Sequence, residues 1–133
     1  MTETKKWNIL YIKDEKTVLK TDVQIFTELF NKADIAPDRH KALKLIFAND
    51  YDIIVNDITS DPLEGTTFIK QIKQMKPTQV QVSLVLADDE EKIGGLIDLG
   101  VNAFLLEPEQ LPYALEAIAD MNPYLEQEKA KPL

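Results

Sequence analysis

Residues 51 to 65, YDIIVNDITSDPLEG, decide how the rest of the chain is interpreted. The apolar, β-branched residues between Asp52 and Asn56 predict a buried strand over 52–56, and Asp57 stands where that strand ends. A run of turn-forming residues then leads to Gly65. Asp57 either only starts the turn, or it lies in a crevice and takes part in chemistry.

Four other short apolar runs predict strands on both sides of this one. They span 7–12 (WNILYI), 33–37 (ADIAP), 80–87 (VQVSLVLA) and 103–106 (AFLL). Because the 33–37 run is short and ends in proline, we expect it at an edge of the sheet. Apolar residues at helical spacing predict helices over 17–30, 38–49, 66–75, 88–99 and from Pro108 onward. The Gly94-Gly95 pair costs about 1 kcal/mol per glycine relative to alanine, which predicts that the fourth helix is pliable.

The alternation of strand and helix, five times over with short connections, predicts an α/β fold. Strands that are apolar on both faces call for a parallel sheet with helices on both sides and right-handed crossovers. In such a sheet the ligand crevice lies beyond the carboxyl ends of the strands. Asp57 ends the third strand and Asp14 follows the first. Both carboxylates therefore enter the same crevice if these two strands are neighbours.

Two carboxylates in one crevice allow two interpretations. They offer the hard oxygen ligands that suit Mg²⁺, and an aspartate can act as a nucleophile toward a phosphoryl group. Alternatively, Asp14 is an acid at the start of a helix and Asp57 an acid in a turn. The spacing of the two residues supports both interpretations equally.

Composition narrows the classes of function. The 133 residues suffice for one domain, which we assign to 1–122, with a polar tail or linker over 123–133. The absence of cysteine and a single histidine, His40, exclude thiolate metal sites, a cysteine nucleophile and a histidine-rich metal site. A net charge of −8 argues against direct nucleic-acid binding. The chain has no stretch typical of a signal peptide or membrane span, which predicts a cytoplasmic protein without membrane contact.

Three segments, in this order and spacing, resemble the receiver domain of bacterial two-component response regulators. Residues 9–19 (ILYIKDEKTVL) resemble the acidic turn after the first strand of that family. Residues 51–73 (YDIIVNDITSDPLEGTTFIKQIK) resemble its phosphoacceptor strand, loop and following helix, and residues 99–108 (LGVNAFLLEP) its last strand and proline. The likeness covers residues 7 to about 121.

The resemblance implies a CheY-like fold: a flavodoxin-like, doubly wound sheet with strand order 2-1-3-4-5 and five helices. It also implies that Asp57 accepts a phosphoryl group from a sensor histidine kinase or a phosphotransfer protein. Asp14, Asp57 and the backbone carbonyl of Thr59 would bind Mg²⁺. A downstream protein would be contacted through the face formed by helix 4, strand 5 and helix 5.

This chain departs from the pattern of the family at three positions of the pocket. Lys13 stands where the family has the first of two acids after strand 1. The serine or threonine that usually ends strand 4 is replaced by Leu86, or by Val85 in another alignment of the loop. Glu107 replaces the usual lysine before the last proline, whereas Phe104 matches the aromatic switch position. These departures predict weak or altered phosphorylation and a poor conventional switch.

Compared with the family pattern, Lys13 replaces an acid with a base and Glu107 replaces a base with an acid. The net charge of the pocket is therefore the same as in the family. Our hypothesis is that the Lys13 ammonium pairs with Asp57 or Glu107 and weakens or displaces Mg²⁺. The alternative is that Lys13 extends into solvent and Glu107 only precedes the last helix.

Three functions remain open at this point. The first is a receiver domain phosphorylated on Asp57, and the second is a phosphate-independent pseudo-receiver that acts as a protein–protein interaction module. The third is a small enzyme or nucleotide binder on the same fold. We expect no enzyme, because the turns contain no glycine-rich phosphate loop. In addition, Thr59 stands where a haloacid-type hydrolase needs a second acid.

Overall fold

The computed structural model describes residues 6–13 and 23–124 of the chain. The strands are β1 Asn8–Ile12, β2 Lys32–Ala36, β3 Ile53–Asp57, β4 Val80–Leu86 and β5 Asn102–Leu106. The helices are α1 Val23–Leu29, α2 Arg39–Ala48, α3 Pro62–Met75, α4 Gly94–Asp98 and α5 Leu111–Ala119, with 3₁₀ turns at Ala87–Lys92 and Pro108–Gln110. Asp14, the first part of the helix predicted over 17–30, and residues 125–133 of the predicted tail lie outside the described residues. Among the described residues, no helix has the length and apolar character needed to cross a bilayer.

All five strands pair in parallel in one sheet with the order β2-β1-β3-β4-β5. This order confirms the predicted flavodoxin-like, doubly wound fold and the edge position of β2. β1 and β3 are neighbours, with Ile12 opposite Asn56. The carboxyl ends of these two strands therefore meet, as the prediction of a shared crevice required.

Side chains that alternate along the strands divide the core between the two faces of the sheet. On the face that we call the α1–α5 face, the buried core includes Ile9, Tyr11, Val55, Val82, Leu84 and Leu106, together with Phe26, Leu111, Leu115 and Ile118. On the opposite face, the α2–α4 face, the core includes Leu10, Ile12, Ile54, Ile46, Phe68 and Ile72, and a second group of Ile58, Ile69, Val85 and Leu96. Helices therefore cover both faces, as predicted.

The α3 helix begins at Pro62, four residues before the predicted start at Thr66. Asp61 is its N-cap, and the Asp61 carboxylate accepts a hydrogen bond from the Glu64 backbone N–H at 3.2 Å. Pro62 suits the first turn because the N–H it lacks would have no partner inside the helix. The end of the predicted loop is thus helical, which brings α3 close to the end of β3.

The single helix predicted over 88–99 is wrong. The chain forms a 3₁₀ turn over Ala87–Lys92 and then the five-residue α4. Asp89 interrupts the turn with φ −101° and ψ 18°, which are not helical values. Gly94 and Gly95 then open α4, where glycine gives little intrinsic support to a helix. Gly100 ends the element as predicted, in the left-handed region with φ +73°.

The chain returns to the amino end of the sheet after α5. The ring of Tyr124 meets Trp7 edge-on, with the ring centroids 5.8 Å apart. The Tyr124 hydroxyl donates to Asp52 Oδ1 at 3.2 Å, and Asp52 Oδ2 accepts the Asn8 backbone N–H at 2.8 Å. Residue 124 therefore packs on the starts of β1 and β3, at the end of the sheet opposite to Asp57, while the domain boundary at residue 122 stays a prediction.

Candidate functional site

Asp57 is the last residue of β3 and lies at the carboxyl edge of the sheet, between β1 and β4. It is in register with Leu84 of β4, and alternation along β3 places its side chain on the α1–α5 face, like that of Val55. Asp57 is only 2% exposed. Because an ionised carboxylate is costly to bury without hydrogen-bond donors, the donors around Asp57 decide which chemistry its carboxylate can take part in.

Thr59 supplies two of those hydrogen bonds. Its backbone N–H donates to Asp57 Oδ1 at 3.0 Å, and its hydroxyl donates to the same oxygen at 2.6 Å. Both residues are buried, and the hydroxyl bond has the short length typical of an oxygen donor facing a carboxylate. We selected Thr59 from the sequence only for its carbonyl, so the part played by its hydroxyl was missed.

Tyr11 contacts the other carboxylate oxygen. Its hydroxyl donates to Asp57 Oδ2 at 3.4 Å, which is long for a hydrogen bond between oxygens. The Tyr11 ring is fully buried and meets Phe26 of α1 edge-on, with the centroids 5.0 Å apart and the planes at 62°. The sequence analysis missed Tyr11. Its signal is a tyrosine among the aliphatic residues of the strand next to β3, since a buried tyrosine hydroxyl needs a polar partner.

Lys13 follows β1 at the level of Asp57. Its backbone N–H donates to the Ala36 carbonyl at 2.9 Å and thus continues the pairing of β1 with β2. Its side chain is half-buried, and within residues 6–13 and 23–124 it forms no ion pair with Asp57 or Glu107. The geometry therefore favours the alternative in which the Lys13 ammonium is not part of a charge pair with these two acids.

Glu107 is exposed and takes part in the start of the last helical segment. It forms a capping box with Gln110, in which the Glu107 backbone N–H donates to Gln110 Oε1 at 2.8 Å. Glu107 is thus occupied in starting the turn that leads into α5. This is the local role that the sequence analysis gave as the alternative.

The register of β4 decides between Leu86 and Val85. Leu84 is opposite Asp57, so Leu86, two residues further along, shares the α1–α5 face and lies nearer the carboxyl edge. Val85 packs on the opposite face. Ser83, the nearest hydroxyl in this strand, is fully buried on that opposite face as well. β4 therefore presents only apolar side chains beside Asp57.

Phe104 of β5 lies in the same row of the sheet as Asp57. Leu84 is opposite both residues, so one leucine separates the aromatic ring from the carboxylate. Phe104 is half-buried and packs against the core of the α1–α5 face. The structure thus brings the predicted switch residue near Asp57, with an apolar side chain between them.

A magnesium site is implied by the resemblance, and only part of it can be placed. Asp57 offers the hard oxygen donors that Mg²⁺ prefers, and a protein site for this ion uses one or two carboxylates plus water. Within residues 6–13 and 23–124, no group of three or more His, Asp or Glu side chains lies close enough to hold a metal ion. Asp14, the second carboxylate of the predicted site, lies outside the described residues. The donors present fit the ion in kind, although the Thr59 hydroxyl already uses Asp57 Oδ1.

Curated proteins related to this chain include response regulators of staphylococci. The response regulator ArlR of Staphylococcus saprophyticus is 25% identical over 114 residues, which cover 85% of this chain and 51% of ArlR. ArlR of Staphylococcus aureus is 24% identical over 119 residues, covering 86% of this chain and 53% of the relative. The chain thus spans about half the length of the response regulators that it matches.

Solved structures share the fold. The receiver domain of NtrC4 from Aquifex aeolicus superposes with a TM-score of 0.68 at 24% identity, covering 90% of this chain and 97% of that one. The signal receiver domain of an HD domain-containing protein from Pseudomonas fluorescens gives a TM-score of 0.67 at 20% identity, covering 92% and 97%.

The family model of the response regulator receiver domain matches residues 9–119, which is most of the chain. The match covers the five strands except Asn8, the first residue of β1, and its range includes Asp57. The chain therefore belongs to the response regulator receiver domain family, the CheY-like signalling modules of two-component systems.

Proposed function

We propose that this domain receives a phosphoryl group on Asp57 within a two-component phosphorelay, and that it does so slowly. The observation that supports this function is the position of one buried carboxylate at the carboxyl edge of a parallel sheet, between β1 and β4. The donor would be a sensor histidine kinase or a phosphotransfer protein. The domain acts as a signalling module and turns over no substrate of its own.

Slow transfer follows from the surroundings of Asp57. The carboxylate is 2% exposed and Oδ1 already accepts two hydrogen bonds from Thr59. Transfer also needs positive charge around the phosphoryl oxygens. Lys13 makes no ion pair with Asp57 in the described part of the chain, and Glu107 adds a negative charge at the position of the family lysine. A phosphoryl donor therefore meets a buried carboxylate with one oxygen already hydrogen-bonded, and neither Lys13 nor Glu107 supplies positive charge beside it.

Magnesium would be held by Asp57, by Asp14 and by the backbone carbonyl of Thr59. When bound, the ion supplies the positive charge that offsets the phosphoryl oxygens. Lys13, which replaces one of the two acids of the family, reduces the negative charge available to bind the ion. We therefore expect a higher Mg²⁺ requirement for labelling than in a receiver with two acids after β1.

The test is the intact mass of the full chain after incubation with acetyl phosphate and Mg²⁺. An oxygen of the Asp57 carboxylate attacks phosphorus, the bond from phosphorus to the acetate oxygen breaks, and acetate leaves. We expect a small fraction of the chain to gain one phosphoryl mass, and the Asp57→Asn variant to gain none. A competent receiver labelled alongside shows that the reagent is active. Equal labelling of Asp57→Asn, or no labelling of the wild-type chain, contradicts the proposal.

A second candidate function is docking of a partner without phosphorylation. The α4, β5 and α5 elements carry three exposed apolar side chains: Ile97 is 66%, Leu105 40% and Tyr113 72% exposed. Such side chains suit a protein contact when they lie close together. This function predicts that a downstream protein binds wild type and Asp57→Asn with the same affinity, and that Tyr113→Ala weakens binding. A preference for the phosphorylated chain contradicts it.

A further inference from the structure

We propose that Tyr11 relays a change at Asp57 to α1. The proposal deepens the proposed function, because it names the internal route by which the state of the acceptor would reach a helix. Part of it concerns only the charge of Asp57 and can be tested without phosphorylation.

Two contacts of Tyr11 carry the proposal. At one end of the side chain, the hydroxyl donates to Asp57 Oδ2 at 3.4 Å. At the other, the ring packs edge-on against Phe26, the buried residue of α1, with the centroids 5.0 Å apart. The Tyr11 ring is fully buried. Because packed interiors leave few voids, a displaced hydroxyl must move the ring, and a displaced ring must press on Phe26.

The length of the hydroxyl contact suits a relay. A distance of 3.4 Å lies beyond the usual 2.5–3.0 Å range for this type of bond, so the present contact with Asp57 is weak. The bonds from Thr59 to Oδ1 are both shorter. We therefore assign phosphoryl attack to Oδ2. Once esterified, Oδ2 is a poorer acceptor, while the added phosphoryl oxygens are strong ones, so the Tyr11 hydroxyl changes its partner.

The opposite direction across the sheet has no equivalent polar contact among the described residues. From Asp57 toward β5, the row continues through Leu84 to Phe104, and Leu86 stands at the edge without a hydroxyl. When the charge of Asp57 changes, β4 therefore offers no hydroxyl beside it that could form a new hydrogen bond. Tyr11 on β1 is the described side chain that joins Asp57 by a hydrogen bond to a helix of the same face.

The experiment uses the full chain labelled with ¹⁵N and with 3-fluorotyrosine. The chain has four tyrosines, so the fluorine resonance lost in Tyr11→Phe identifies Tyr11. Phenylalanine keeps the ring against Phe26 and removes only the hydroxyl. Fluorine and amide spectra are compared between wild type and Asp57→Asn, and between wild type before and after acetyl phosphate. The same amide comparisons in the Tyr11→Phe background provide the control.

We expect Asp57→Asn to shift the Tyr11 resonance and the amides of residues 23–29, and the amide shifts to be largely lost in the Tyr11→Phe background. Tyr51, on the opposite face, serves as the internal reference and should not move. Amides of α1 that shift equally with and without the Tyr11 hydroxyl overturn the relay.

The mass spectrum separates the two proposals. If the chain is labelled and the Tyr11 resonance does not move, the relay is wrong and the phosphoacceptor function stands. If the chain is not labelled, the phosphoacceptor function fails and the Asp57→Asn comparison alone decides the relay. In that comparison, coupled shifts that need the hydroxyl support it, and an unmoved Tyr11 resonance overturns it.

Discussion

Replacing Thr59 with valine tests how the acceptor carboxylate is held. The change keeps a branched side chain and removes the hydroxyl that donates to Asp57 Oδ1 at 2.6 Å. A hydrogen bond to a charged group contributes about 1.5–3 kcal/mol net. The backbone N–H of Thr59 still donates to the same oxygen at 3.0 Å, so the carboxylate keeps one donor. We therefore expect a loss of about 2 kcal/mol in the free energy of unfolding, within the range for such bonds.

The same change should speed phosphorylation. If the hydroxyl bond must break before Mg²⁺ can bind Oδ1, while Oδ2 attacks phosphorus, its removal raises the initial rate of labelling by acetyl phosphate in the presence of Mg²⁺. Because 1.36 kcal/mol is a factor of ten in rate, a bond of about 2 kcal/mol sets a ceiling of about 30-fold. We expect several-fold acceleration, measured as the early increase in phosphorylated mass at a temperature where the variant is folded.

The assays are urea unfolding, thermal unfolding and the labelling time course. For a chain of this length, a loss of about 2 kcal/mol lowers Tm by about 6–10 °C. Thr67→Val is the matched control, because the Thr67 hydroxyl is exposed and donates to the Leu63 carbonyl at 3.3 Å. It should change stability by less than about 0.5 kcal/mol. A Thr59→Val chain as stable as wild type refutes the hydroxyl bond, and unchanged labelling of a destabilised variant refutes its role in slowing transfer.

Two further predictions concern the stability of the fold. The Tyr51 hydroxyl donates to Asp34 Oδ2 at 2.6 Å, so Tyr51→Phe should cost about 1.5–3 kcal/mol in denaturant unfolding. Burial, and then the bond to Asp34 and its charge, raise the pKa of Tyr51 above its ordinary 10.0. As pH rises, the unfolded chain therefore loses the Tyr51 proton before the folded chain does, and the stability of the wild type falls above pH 10. Tyr51→Phe should make this fall less steep. An equally steep fall in the variant contradicts the attribution of the fall to Tyr51. A Cβ on Gly65 would overlap the Ile58 side chain, so Gly65→Ala should lower the free energy of unfolding by about 3 kcal/mol. A Cβ on Gly94 meets no atom within 4 Å, so Gly94→Ala should be neutral or stabilising. Equal Tm values for the two variants would show that α3 shifts away from Ile58 without cost.

Much of the fold could be predicted because its signals are local. Short apolar runs ended by turn residues marked all five strands, and proline marked the edge position of β2. The errors arose where local signals compete. The acid-rich run before Gly94 fits a helix start, yet the chain forms a 3₁₀ turn and a five-residue α4 there. The cap at Asp61, in turn, starts α3 earlier than the apolar pattern suggested.

The candidate site could be predicted only in part. Asp57 was chosen as the candidate because ligands bind beyond the carboxyl ends of the strands in a parallel sheet. The described residues show no ion pair between Lys13 and Asp57 or Glu107, because opposite charges at related sequence positions do not fix where long side chains point. Glu107 instead joins the capping box at the start of the last helical segment. Local backbone groups at a helix start compete directly with distant charges for a flexible carboxylate.

The sequence by itself determined the parallel α/β sheet, the position of Asp57 at a strand end and the absence of a hydroxyl from the side chain of Leu86. These features follow from residue type and from the period of apolar residues along the chain. Only the tertiary structure decided that Thr59 holds Oδ1 of Asp57 and that Tyr11 reaches Oδ2 from the core. The physical reason is that a hydrogen bond depends on a few tenths of an ångström between atoms. For Tyr11 and Asp57, those atoms are 46 residues apart in sequence, and the order of the strands alone brings them together.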